Sequence, residues 1–267
     1  AAAYAARCRG VAPELPEPSL QYGDYVVWQQ EMLQDESVRA QMAYWRERLA
    51  DPTPLDVPTD HVRPPHVSSR GATTPLRVPR QVAEGLEAIA RQRHATLFMA
   101  LVAAWSVLLF RYTRQEDISV GTPIAGRDHP DTHDMVGCFV NTLALRMDLG
   151  GHPSFSGVLE RVRDTALGAY DHQDVPFDVL VDELHVERDP SRTPLFDTFF
   201  AMQGADDVQL DGLVVERKSA AIGTAKFDLS VYVGPGADGL EGIVEFRADL
   251  CERSTIERLA RKYALED

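Results

Sequence analysis

The histidines are the side chains of this sequence best suited to acid–base or metal chemistry near neutral pH. There are eight, at positions 61, 66, 94, 129, 133, 152, 172 and 185. No two are adjacent, and the sequence contains no GxSxG, P-loop, GxGxxG or HExxH motif. The residue pattern by itself therefore identifies neither a nucleophile–base pair nor a nucleotide-binding loop.

Two histidine positions nevertheless need an interpretation. His129 and His133 are four residues apart among several aspartates, a pattern that a metal loop can have, but a polar, solvated loop is the interpretation we favour. We therefore predict no metal site. His172 ends an amphipathic helix, in the turn before Asp174. A catalytic base is one interpretation, and a structural hydrogen bond that holds this turn is the one we favour.

Composition excludes several classes of function. The 267 residues include 41 acidic and 27 basic side chains, for a formal charge of −14, which repels nucleic-acid phosphates and anionic membranes. The apolar run Leu97–Phe110 is shorter than the ~20 residues of a membrane span and fits a buried helix. The three cysteines are far apart and odd in number, so we expect a reduced, cytoplasmic protein without disulfides or structural zinc.

Periodicity and turn signals predict helices that alternate with strands, followed by a β-rich last third. We expect Trp28 and Trp45 to anchor the first two helices after the N-terminal linker to a core. The fold class is α/β, a mixed sheet with helices on one face. Predicted helices are 22–34, 38–49, 80–93, 97–112, 155–170, 176–184 (capped by Asp174) and 255–263 (capped by Ser254). Predicted strands are 70–78, 118–124, 139–149, 195–203, 208–218, 226–233 and 242–247.

Several different short segments occur at wide but definite distances from one another along the sequence. They are Tyr-Gly-Asp-Tyr at 22–25, Gly-Thr-Pro at 121–123, Gly-Cys-Phe-Val-Asn-Thr at 137–142, His-Gln-Asp-Val-Pro-Phe at 172–177 and Arg-Asp-Pro-Ser-Arg-Thr-Pro-Leu at 188–195. Together, in this order, they resemble the later motifs of the condensation domains of nonribosomal peptide synthetases. That resemblance covers nearly the whole chain and implies a chloramphenicol-acetyltransferase-like fold, two lobes with the active site in a tunnel between them.

One family motif is missing from the sequence. The catalytic His-His-x-x-x-Asp-Gly lies upstream of Tyr-Gly-Asp-Tyr in the family, and no such segment occurs here. We therefore expect the C-terminal lobe of a condensation domain, inactive alone and without a catalytic residue of its own. Residues 1–65 would be a helix remnant, a linker and connecting helices, and residues 66–267 the acetyltransferase-like lobe.

The resemblance also implies roles for particular residues. Asn141, with Thr142 beside it, matches an amide near the tunnel that could hydrogen-bond a thioester or an oxyanion; satisfying backbone groups at a strand turn is an equal alternative. Thr224 lies in a segment that either borders the acceptor side of the tunnel or is an ordinary turn before a strand. Arg70 matches an arginine that pairs with the aspartate of the missing motif and locks the two lobes.

The remaining implied residues are architectural. We expect Arg188, Asp189 and Arg192 to form a local network of ion pairs and turn caps. No cofactor would be bound, because the substrates of such domains are carried on the 4′-phosphopantetheine of partner carrier proteins. The implied partners are upstream and downstream peptidyl carriers, the N-terminal lobe and neighbouring synthetase modules, with no nucleic acid and no membrane.

Two alternatives from other classes stay open at this point. Some relatives have lost the catalytic histidines and act as docking platforms for tailoring enzymes. Epimerisation and cyclisation domains are also related, although the segments at 137–142 and 172–177 make them less similar to this chain.

Overall fold

The chain alternates helices and strands around one sheet. The structure is a computed structural model and describes residues 2–14, 17–186, 189–204, 210, 212–215 and 222–264. The helices are α1 (Ala2–Cys8), α2 (Tyr22–Met32), α3 (Glu36–Arg48), α4 (Arg80–Gln92), α5 (Leu97–Thr113), α6 (Phe155–Tyr170), α7 (Phe177–Glu183) and α8 (Arg253–Ala264). The strands are β1 (Gly71–Pro79), β2 (Asp117–Ile124), β3 (Asn141–Asp148), β4 (Thr198–Met202), β5 (Leu229–Gly236) and β6 (Gly239–Arg247).

The six strands form one mixed sheet in the order β1-β6-β5-β4-β2-β3. The β4 strand is parallel to both β2 and β5, and the other pairs are antiparallel. Helices α4, α5, α6 and α8 pack together against one face of this sheet. The predicted α/β fold class is therefore confirmed.

The helical layer is built around α5, the most apolar helix. Thr96 caps it by accepting a hydrogen bond from the amide of Met99 at 3.2 Å. Trp105 is fully buried and donates from its indole to Thr198 of β4 at 3.1 Å, so α5 is fixed to the centre of the sheet. No single helix in the described ranges is long and apolar enough to cross a membrane; only the pair α4 and α5, bent by 107°, passes that test together.

Several predictions about the elements were wrong in detail. Trp45 is 1% exposed, but Trp28 is 46% exposed, because α2 lies on the surface and buries no residue. Asp174 does not cap α7, whose N-cap is Pro176; its carboxylate accepts from Gln41 of α3 instead. Helix α8 begins at Arg253, before the expected cap at 254. The strand predicted over 208–218 lies largely outside the described residues.

Part of the segment before residue 66 packs into the same core as the sheet. Val38, Met42 and Trp45 of α3 belong to the same hydrophobic core as the sheet. After α3 the chain runs as an extended strap from Ala50 to His66, in which Leu55 is buried. The division into residues 1–65 and 66–267 stays a prediction.

A polar row crosses the sheet face opposite the helices, near one end of the strands. It consists of Arg146, Ser119, Asp197, Asp228 and Arg247, each beside the next on neighbouring strands or on the residue just before a strand. Backbone bonds from Asp228 to Asp197 and from Arg247 to Asp228 continue the ladder through this row. Buried charges at this face require partners, and the strap and nearby loops supply them.

An ion cluster of Arg63, Asp228, Arg247 and Asp249 neutralises one end of the polar row. Arg247 is 1% exposed; it donates from Nη2 and Nε to the two carboxylate oxygens of Asp249 at 2.7 and 3.1 Å, and to Asp228 at 3.3 Å. Arg63 of the strap makes a two-pronged pair with Asp228. Both arginines also donate to the carbonyl of Ser191 at 3.1 Å. The cluster thereby joins the strap, the loop at 189–197 and strand β6.

Removing the central guanidinium tests the importance of the ion cluster. Arg247→Ala leaves the largely buried carboxylate of Asp249 without its two-pronged partner and that of Asp228 with Arg63 alone, so we expect the free energy of unfolding to fall by about 3–5 kcal/mol. The matched control is Arg77→Ala on the exposed side of β1, which we expect to change it by less than ~0.5 kcal/mol. Urea unfolding measures both, and similar values for the two variants would contradict this role.

The cysteines give a second test, of burial. Cys8 and Cys138 are exposed and Cys251 is buried, where burial, with smaller effects of Asp60 and Asp228, raises the pKa of its thiol to about 11. At pH 8 a thiol reagent should modify two thiols in the folded protein and three in urea. The pKa of this thiol is higher in the folded protein than the ordinary value of 9.0. The free energy of unfolding should therefore be independent of this thiol well below pH 9 and should fall as the pH rises toward 11. Rapid modification of all three thiols in the folded protein would show that Cys251 is not buried.

Candidate functional site

Asn141 connects the start of β3 to the turn before α7. Its Nδ2 donates to the carbonyls of Gln173 at 2.9 Å and Val175 at 2.8 Å, and its Oδ1 accepts from the amides of Thr142 at 2.8 Å and Phe177 at 3.0 Å. Both donors of this amide are therefore occupied by backbone groups. This geometry is the backbone alternative raised by the sequence; a substrate oxygen could bind Asn141 only by displacing one of these bonds.

His172 lies in the same turn and makes structural contacts. Its Nδ1 donates to the carbonyl of Gly168 at 2.7 Å, because a carbonyl can only accept. Its ring stacks on Tyr44 with centroids 3.8 Å apart and an interplanar angle of 9°. Trp45 donates from its indole to the carbonyl of His172 at 2.8 Å. The turn at 172–177 is thus held from one side by α3 and from the other by Asn141.

Arg70 lies at the edge of the sheet, just before β1. Its backbone forms an isolated bridge with Thr224, and a Cβ atom at Gly71 would lie 2.2 Å from the carbonyl carbon of Thr224, so glycine is required there. The residue is exposed, and its side chain makes no hydrogen bond or ion pair among the described residues. Burial would raise the pKa of Asp249, but Arg247 lowers it below its usual value and Arg70 adds to that effect.

Arg192 lies beside Asp197, the middle residue of the polar row. It pairs with Asp197 at 2.7 Å and donates to the carbonyl of Leu55 in the strap at 2.9 Å. Asp189 is 3.9 Å from its Nε and caps the turn by accepting from the amide of Ser191 at 2.8 Å. Arg188 lies outside the described residues. Burial, together with the nearby charge of Asp228, raises the pKa of Asp197 despite Arg192.

The sequence did not predict that Arg63, Asp228 and Arg247 would join this network. Each is an ordinary charged residue in a predicted loop or strand, and only the strand order brings them together. Single charges near the ends of predicted strands mark Asp228 and Arg247 as candidates, but that spacing does not indicate which charges meet.

Two concave surfaces border these residues. A groove of about 1660 Å³ lies between the strap, α7 and the loop at 189–197, with Ser119 and Asp197 of the polar row in its lining. A smaller cavity of about 380 Å³, here called the aromatic cavity, lies at the opposite end of β3 beside Asn141. Its lining includes aromatic side chains of α2, of the loop before β3 and of α7: Tyr22, Tyr25, Trp28, Phe139 and Phe177.

The loop before β3 is shaped by two glycines, Gly126 and the motif residue Gly137. Gly126 has a φ of +63°, and a Cβ there would lie 2.1 Å from the carbonyl oxygen of Phe139. A Cβ at Gly137 would lie 2.1 Å from the ring of Tyr22, whose hydroxyl donates to the carbonyl of Cys138 at 2.7 Å. Arg127 stacks on Phe139 at 4.2 Å. Close approach, rather than catalysis, explains these motif positions.

The described part of the chain contains no group of three His, Cys, Asp or Glu side chains that could hold a metal ion. The side chains of His172 and Asn141 are both engaged with backbone groups. What the geometry offers is binding surface, namely the groove, the aromatic cavity and the exposed end of the sheet at Arg70.

A stability measurement tests the role of Asn141. Asn141→Ala removes four hydrogen bonds to backbone, so we expect the free energy of unfolding to fall by about 2–4 kcal/mol. The control is Thr142→Val, with a change below ~1 kcal/mol expected, since that hydroxyl makes no hydrogen bond to any residue that the structure describes. Wild-type stability of Asn141→Ala in urea unfolding would contradict the structural role and favour the tunnel role.

Known proteins are similar to this chain in both sequence and fold. A family model described as "Condensation domain" matches residues 1–265. A linear gramicidin synthase of Brevibacillus parabrevis is 43% identical over 97% of this chain, and a dimodular nonribosomal peptide synthase of Bacillus subtilis (strain 168) is 39% identical over 97%. The chain spans only 3% and 11% of the lengths of these two relatives.

Solved structures agree with this assignment. The X-domain from teicoplanin biosynthesis superposes with a TM-score of 0.86 at 29% identity, over 98% of this chain and 62% of that one. The first condensation domain of the calcium-dependent antibiotic synthetase gives 0.75 at 21% identity, over 98% and 58%, and shows the same fold. The family suggested by the motifs is thereby confirmed, and the chain belongs to the condensation domains of nonribosomal peptide synthetases.

Proposed function

We propose that this chain is the C-terminal lobe of a condensation domain that joins two carrier-tethered acyl groups through an amide bond. The observation that carries the proposal is a family match over residues 1–265 in a sequence with no His-His-x-x-x-Asp-Gly segment. The chain also spans only 58–63% of several solved relatives, which leaves room in them for another lobe. Without that lobe we expect no activity.

The reaction proposed for the complete domain needs no cofactor bound to this chain. The amine nitrogen of the acceptor attacks the thioester carbonyl of the donor, a C–N bond forms, and the C–S bond breaks. The nitrogen loses a proton and the departing phosphopantetheine sulfur gains one, so the exchange is balanced without ATP. Condensation domains of this kind work with carrier-protein-bearing modules. The substrates, the two carriers and a cytoplasmic location are part of the proposal.

This lobe would contribute walls and an anchor rather than a base. Arg70 is exposed at the end of the sheet with its guanidinium free among the described residues, and it is suited to pair with a carboxylate of another lobe. Its backbone is fixed by the bridge to Thr224 and by a bond from the amide of Ala248 at 3.0 Å. The anchor would therefore be presented from a rigid edge.

A second candidate function rests on the X-domain. Both X-domain structures superpose at TM-scores of 0.86 and 0.85, and one is a complex of the X-domain with OxyB. By analogy, the parent of this chain could be a docking platform for a tailoring enzyme, with no condensation activity.

The decisive experiment compares this chain with the complete domain that contains it, each mixed with donor-loaded and acceptor-loaded carrier proteins. We expect amide product, detected by mass spectrometry of the acceptor carrier, only from the complete domain. Product from this chain alone would overturn the proposal. No product from either sample, with binding of a tailoring enzyme by the complete domain, would favour the second candidate.

A variant in the complete domain tests the anchor. Arg70→Ala should lower the rate of amide formation by ~10–100-fold, the equivalent of the ~1.5–3 kcal/mol of a hydrogen bond to a charged group. Arg77→Ala removes the same charge from an exposed position on β1, the strand that follows Arg70, and should leave the rate unchanged. Equal rates for the two variants would contradict the inter-lobe role of Arg70.

A further inference from the structure

The aromatic cavity is not explained by the structural role of the motifs around it. Helix α2 buries no residue, yet it carries Tyr22, Tyr25 and Trp28 three residues apart on one stripe. The ring centroid of Tyr25 lies 5.7 Å from that of Trp28 and 4.6 Å from that of Phe139. Three aromatic rings from two elements thus surround a space of about 380 Å³, large enough for a small organic group.

The carboxylates around this cavity are not balanced by Lys or Arg. Asp128, Asp174 and Asp178 line it, and no described Lys or Arg does so. The imidazole of His129 lines it as well. Gln41 occupies one of the two carboxylate oxygens of Asp174, at 2.7 Å. A ligand that pairs with the aspartates must donate hydrogen bonds.

The groups around the cavity favour a positively charged ligand. Burial raises the pKa of the Tyr25 hydroxyl, and the nearby Tyr22 hydroxyl and the carboxylate of Asp174 raise it further. Arg127 is not among the lining residues; it stacks on Phe139 and donates to the carbonyls of Thr132, Met135 and Gly137. Electron-rich ring faces and carboxylates together match a positively charged donor.

We infer that the aromatic cavity is a binding site for an alkylammonium group, held by the rings of Tyr25, Trp28 and Phe139 and by the carboxylate of Asp174. This site adjoins Asn141 and Thr142, and its binding of a cation can be tested without the condensation reaction. An anion would meet carboxylates, and a neutral alcohol would gain the ring contacts without the charge.

Three probes of one shape test this inference: benzylammonium, benzyl alcohol and benzoate. Binding is measured by calorimetry and by the tryptophan emission of this chain, in which Trp45 and Trp105 are fully buried and Trp28 is the exposed reporter. We expect benzylammonium to bind at least ~10-fold more tightly than benzyl alcohol, and benzoate not to bind. Equal binding of the three probes, or tighter binding of benzoate, would overturn the inference.

Variants assign the binding to the cavity. Asp174→Asn keeps an oxygen for Gln41 but removes the charge, and Trp28→Leu removes a ring at an exposed position where folding is not at risk. Each should weaken benzylammonium binding by ~5–10-fold, and Asp178→Asn is a second charge variant should Asp174→Asn fail to fold. Glu241→Gln, an exposed carboxylate on β6, is the control and should bind as the wild type does. Unchanged binding in the folded cavity variants would show that the cavity is not the site.

Discussion

The guanidinium of Arg247 is the charged group on which the arrangement of the sheet face with the polar row depends. It is 1% exposed and lies between the carboxylates of Asp228 and Asp249, with Arg63 of the strap completing the ion cluster. A charge this deeply buried is stable only if its partners hold fixed positions, so the cluster constrains every segment that contributes to it. Those segments are the strap, the residues before β5, the end of β6 and, through the carbonyl of Ser191, the loop at 189–197. The groove walls and the edge at Arg70 are consequences of that constraint.

The opposite end of the sheet is organised by neutral hydrogen bonds instead. Asn141 saturates the backbone of the turn at 172–177, and His172 with Trp45 fixes the same turn to α3. The family motifs at 137–142 and 172–177 therefore build a rigid frame, and the aromatic cavity is the space left within it. Walls that do not move would suit the proposed amide formation, since positioning supplies much of the rate when two substrates must meet.

Sequence reasoning predicted the local elements well and the long-range charges poorly. The bounds predicted for α6, 155–170, match the structure because its apolar stripe is long and Ser154 is a strong cap. Strand β3 begins two residues later than predicted, since Phe139 packs against Tyr25 and Arg127 before the ladder starts. The prediction that Trp28 is buried was wrong because an aromatic side chain on a helix usually packs into the core, whereas this one borders a cavity. The ion cluster could not be predicted, because it depends on a strand order in which β6 lies between β1 and β5.

A double-mutant cycle between the strap and the sheet tests most directly whether the ion cluster holds the strap on the sheet face with the polar row. Arg63→Met, Asp228→Asn and the double variant are unfolded in urea, and their unfolding free energies give the coupling between the two side chains. We predict a coupling of about 1–3 kcal/mol, because both groups are largely buried and joined by two hydrogen bonds. Strict additivity, with a coupling below ~0.3 kcal/mol, would contradict this role of the cluster and would mean that the strap is held by its apolar contacts alone.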